Sequence, residues 1–80
     1  MNKKAIFEYC GCEFTKFDSN DMIFARDKIV QNDDWLAFFE WVYQKEEPPL
    51  RVSYFITWLM QPDRFFDLMS EALEKGVIGK

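Results

Sequence analysis

Eighty residues with a net charge of −4, no histidine and two cysteines describe one small acidic domain. The acidic balance argues against a duplex nucleic-acid binder, which needs a basic stripe to displace counterions, and against docking on an anionic membrane. Without histidine there is no imidazole-based triad, metal site or pH switch, and two cysteines cannot complete a tetrahedral zinc site within one chain.

A chain this short buries only roughly 60–65% of its unfolded surface, so its stability margin is thin. Aromatic side chains offset that. Nine Phe, three Trp and three Tyr are present, and each buried ring removes about 150–250 Å² from water. With 49% hydrophobic residues, folding without a metal or disulfide is expected, and no cofactor is implied. The N-terminal apolar run breaks at Glu8 and does not read as a signal peptide. No apolar run approaches the roughly 20 residues that span a bilayer. The expectation is one compact domain over residues 1–80, cytoplasmic, with reduced thiols.

Residues 5–9 and 12–17 are rich in aromatic and β-prone types and predict two short strands, with Gly11 as the turn or bulge between them. A turn at Cys10-Gly11 would pair Phe7 with Phe14 but set Glu8 against Glu13, so the register stays open. Asp18-Ser19-Asn20-Asp21 supplies an N-cap, and a helix is expected over about 20–31. Met22, Ile23, Arg26, Ile29 and Val30 follow its spacing; a second hairpin turning at residues 26–28 is the alternative.

Asn32-Asp33-Asp34 restarts the chain with a cap and negative charge at a helix N-terminus. The next helix is expected over 33–45. Its eleven residues 33–43 include five aromatics, and this window is expected to organise the core. Trp35, Phe38, Phe39, Val42 and Tyr43 share one side, with Leu36 at the margin. Pro48-Pro49 ends this helix. Residues 50–61 fit a helix with Ser53, Thr57 and Gln61 on a polar strip, or a strand; length and the strip favour the helix. Pro62 and Asp63 open a final helix to Lys75, closed by Gly76. Phe65, Phe66, Leu68, Met69, Ala72 and Leu73 form its apolar arc.

Three features remain once the core has taken its share. Cys10-Gly11-Cys12 is the one motif with possible thiol chemistry, but Glu8 and Glu13 flank it, and nearby negative charge raises a thiol pKa. The bland alternative is two small half-buried residues. Trp41 falls nearly opposite the apolar side of its helix, beside Ala37, Gln44 and Lys45. It is either covered by a second layer or exposed as a partner anchor. Asp63, Asp67, Glu71 and Glu74 stack as an acidic ridge on the last helix. This is either an ordinary solvated face or a docking edge for a basic surface. No carboxylate pair stands out for acid–base catalysis, and three scattered glycines make no phosphate loop.

The sequence therefore predicts an α+β fold, mostly helical, in which an N-terminal β-hairpin packs on about four short helices. The expected function is that of a non-enzymatic protein-binding module, an inhibitor or regulator of a larger host protein or nucleoprotein complex. The candidate contact residues are Trp41, Lys45, Asp63, Asp67, Glu71 and Glu74, facing a protein with a basic surface. Small acidic domains of this kind are common among phage and mobile-element proteins. The rivals are a thiol-redox protein using Cys10 and Cys12, and a homo-oligomeric component, with a homodimer compatible.

Overall fold

The computed structural model describes residues 1–45 and 61–79, and among these it contains helices and no strand. The helices are α1 (Lys3–Cys10), α2 (Ser19–Gln31), α3 (Trp35–Lys45) and α4 (Pro62–Glu74). The expected N-terminal β-hairpin, and with it the α+β class, is therefore overturned. The helix-or-strand choice for residues 50–60 lies outside the described residues.

Residues 5–9 sit inside α1 because both ends of that helix are built for it. The Asn2 side chain caps the start by accepting from the Ala5 N–H at 3.1 Å. Gly11 closes the end in the left-handed conformation (φ 75°), donating to the Phe7 carbonyl at 2.8 Å. This is the αL stop that glycine permits without steric cost. Helical spacing puts Ile6 and Cys10 on the buried side.

Residues 12–17 form no strand for a packing reason. Phe14 and Phe17 are three apart, so a strand would send them to opposite faces. The irregular chain brings both to one cluster. Phe17 lies 4.9 Å from Phe66 and 5.8 Å from Phe14 between ring centroids, and Phe7 lies 5.9 Å from Phe17. Phe17 itself takes φ 51°, which costs a non-glycine residue about 1–2 kcal/mol. Edge-on ring contacts of about 0.5–1.5 kcal/mol each offset it.

Asp18 caps α2, accepting from the Asn20 and Asp21 N–H groups at 3.1 Å. The buried stripe of α2 is Met22, Ala25 and Ile29. Ile23 and Val30, expected inward, are exposed instead. At its end the Asp33 N–H reaches the Val30 carbonyl and the Asp34 N–H the Ile29 carbonyl. That is a Schellman stop, here with Asp33 rather than glycine at φ 59°.

α4, not the aromatic window of α3, contributes most to the described core. It buries Phe65, Phe66, Leu68, Met69, Ser70 and Ala72, where α3 buries Phe38 and Val42. It packs on both α1 and α2, and Phe65 meets Phe38 of α3 at 5.7 Å. Its own Schellman stop uses Gly76 (φ 72°), with the Val77 N–H on the Ala72 carbonyl at 2.9 Å. The turn directs Ile78 back into the core. Ser70, a buried polar residue of α4, accepts from the Asn2 N–H at 2.6 Å. That bond ties the N-terminus across α4.

Candidate partner-binding site

α3 and α4 bring Trp41, Lys45 and Glu71 together at one edge. Trp41 is half-buried, its ring 6.3 Å from Phe38. Lys45, one turn later, lays its ammonium 4.7 Å from the Trp41 ring centroid. The same ammonium donates to both Glu71 carboxylate oxygens at 2.7 Å. Lys75 reaches Glu71 Oε1 at 3.0 Å from one turn further along the chain. Hydrogen bonds from Lys45 first, and then Lys75, hold the Glu71 carboxyl below the usual carboxylate range.

The acidic ridge is consequently not uniform. Asp63, Asp67 and Glu74 are exposed on α4, while Glu71 is partly covered and paired with two lysines. Lys75, four residues on, relieves part of the like-charge repulsion along the ridge. The Lys45 bridge spans two helices, and no spacing rule in the sequence could place it.

The two cysteines stand differently. Cys10 is buried in the core at 3% exposure, Cys12 is half-buried, and both are free thiols. Burial first, and then Cys12, push the Cys10 thiol up to about 11. A thiol that stays protonated at neutral pH is a poor nucleophile.

A second polar cluster went unnoticed in the sequence. Tyr9 of α1 donates its hydroxyl to Asp34 Oδ2 at 2.7 Å, and the Gly79 N–H reaches the same oxygen at 3.2 Å. Burial is the main cause that raises the Tyr9 phenol well above its ordinary value; the Asp34 charge adds to it, and a hydrogen bond to Asn32 opposes it. Asp34 thereby clasps α1, the α2–α3 turn and the C-terminal segment. An open cleft of about 280 Å³ lies beside the clasp, lined by Ala5, Glu8, Tyr9, Leu73 and Gly79. Its polar side chains are the Glu8 carboxylate and Tyr9, whose hydroxyl is already engaged by Asp34.

Among the described residues no group of three His, Cys, Asp or Glu side chains is placed to hold a metal ion. No helix among them is long and apolar enough to cross a membrane. Ile23, Val30 and Leu36 are exposed at 47%, 54% and 67%. The chain matches no protein-family model, no curated protein and no solved structure.

Proposed function

We propose that this chain is a non-enzymatic protein-binding module that inhibits or regulates a larger protein in the cytoplasm. Trp41, Lys45, Asp63, Asp67, Glu71 and Glu74 form the contact surface, and a basic patch on the partner meets it. One observation supports this reading above the others: the Lys45–Glu71 bridge joins the Trp41 edge of α3 to the acidic face of α4. Two features from separate helices thus become one surface. A half-buried indole provides a rigid apolar anchor. The flanking carboxylates steer a basic partner and set its register. Capture of the partner by the wild-type chain is compared with capture by Trp41→Ala and by Asp67→Lys with Glu71→Lys. Loss in both variants, with the helical spectrum unchanged, is the expected result. Unchanged capture in both removes this surface.

A second reading, self-association, draws on the exposed Ile23, Val30 and Leu36. Scattered surface hydrophobics are common, so the discriminating measurement is mass. Light scattering over a concentration range should show growth that Val30→Lys abolishes. A constant monomer mass counts against it.

A further inference from the structure

Lys45 occupies two groups that would otherwise recognise a cation. Its ammonium sits over the Trp41 ring at 4.7 Å and contacts both Glu71 oxygens at 2.7 Å. An aromatic face beside a carboxylate is a cation cradle, and here a side chain of the same protein fills it. The side chains of Lys45 and Glu71 are 32% and 35% exposed. Ion pairs between long exposed side chains are loosely held, because ordering them offsets most of the Coulomb gain.

A guanidinium suits this cradle better than an ammonium does. It stacks flat on an indole, presents a planar fork to a carboxylate and is more weakly hydrated. Exposed Asp67 and Glu74 lie within one turn of Glu71 on either side. They add negative charge on both sides of Glu71, against the positive charge of Lys45, Lys75 and Arg64.

We infer that Trp41 and Glu71 form a receptor for an arginine side chain of a basic protein partner, and that Lys45 is its intramolecular competitor, displaced on binding. This rests on the partner-binding reading and deepens it: it names the residue type received and makes Lys45 the gate within that contact surface. Lys75 contacts Glu71 Oε1 but no ring, so it shares the charge of Lys45 without its position over Trp41.

The test titrates the full chain with a short arginine-bearing peptide and with its lysine counterpart. Binding is followed at the Trp41 indole N–H by NMR, assigned with Trp41→Phe. The arginine peptide should shift that signal at lower concentration than the lysine peptide. Lys45→Met keeps the apolar stem and removes the ammonium. Because Lys45 fills the cradle, this variant should bind roughly three- to ten-fold tighter as the competent fraction rises toward one. Lys45→Gln should do the same. Lys75→Met removes an equal charge and should tighten binding less. Glu71→Gln should abolish the arginine preference.

Equal or weaker binding by both Lys45 variants overturns the inference. So does equal tightening by Lys75→Met, which would reduce the effect to net charge. Absence of a Trp41 shift in wild type and variants alike overturns it too. If it fails while Trp41→Ala still loses partner capture, the arginine receptor falls and the partner-binding reading stands. If both fail, both fall.

Discussion

The Asp34 clasp permits the most quantitative prediction. Tyr9→Phe removes only the hydroxyl that donates to Asp34 Oδ2 at 2.7 Å, while Asp34→Ala also releases the Gly79 N–H at 3.2 Å. A shielded hydrogen bond to a charged group contributes about 1.5–3 kcal/mol. Tyr9 and Asp34 are both partly exposed, so solvent screening reduces this to about 1–2 kcal/mol for the pair. Tyr9→Phe should cost about 1 kcal/mol and Asp34→Ala about 1.5–2.5 kcal/mol. The double variant should reveal a coupling of about 1 kcal/mol. Urea denaturation followed by far-UV circular dichroism measures all three.

The clasp also has a pH signature. The folded state keeps the Tyr9 phenol protonated above its ordinary value of 10.0. Its contribution is therefore complete below pH 10 and is lost as pH rises through the higher folded value. Wild-type stability should fall above pH 10 with an extra slope of up to about 1.4 kcal/mol per pH unit, and Tyr9→Phe should lack that slope. Cys10, raised from 9.0 to about 11, adds a loss of the same sign from pH 9 upward in both proteins, so the difference between the profiles reads chiefly Tyr9. A coupling below about 0.3 kcal/mol, or parallel pH profiles, refutes the reasoning.

Other expectations follow from backbone and burial. Gly11 and Gly79 both hold positive φ, but an added Cβ at Gly11 meets nothing within 4 Å, whereas at Gly79 it falls 2.9 Å from Leu73 and 3.3 Å from Tyr9. Gly11→Ala should thus cost about 1 kcal/mol of conformational strain, and Gly79→Ala clearly more, in the same denaturation assay. Asp33→Gly should stabilise the fold by up to about 1 kcal/mol, because Asp33 holds a position at φ 59° that favours glycine; destabilisation would show that its side chain contributes something the backbone does not require. In a Cys12→Ser background, which leaves burial as the cause that raises the Cys10 thiol, Cys10 should still resist alkylation at neutral pH, its reactivity rising only above the ordinary thiol range. Rapid alkylation of the folded protein at pH 7 would contradict its burial.

Element ends from Asp18 onward were the more legible from sequence. Asp18 as a cap, Pro62 opening the last helix and Gly76 ending it are local signals, and each acts where its chemistry predicts. The N-terminal segment misled because β-prone residue types outweighed its punctuation. Asn2 and Gly11 frame a helix of eight residues, and those caps were the signal to weigh against β propensity. The odd spacing of Phe14 and Phe17 was a second warning, since a strand cannot place both in one cluster.

The site was legible only in its parts. Trp41 and the α4 acids could be picked out as leftovers of two amphipathic patterns. Their junction depends on how α3 lies against α4, and the Lys45–Glu71 pair joins residues 26 positions apart. The Tyr9–Asp34 bond likewise spans 25 positions. Tertiary geometry of that kind leaves no periodic trace. The inward face of α2 was misjudged for a similar reason: Ile23 and Val30 fit the helical period as well as Ala25 does, and packing alone selects between them.

The central claim is that the partner docks on the Trp41 edge and the outer face of α4. A photo-crosslinking amino acid placed at Asp67, and in a parallel experiment at Asp27 on the exposed side of α2, tests it in cells that naturally produce the chain. The account predicts a specific adduct with a basic protein from position 67, weakened by Trp41→Ala, and none from position 27. An adduct from position 27 alone, or one from position 67 that is indifferent to Trp41→Ala, would contradict it.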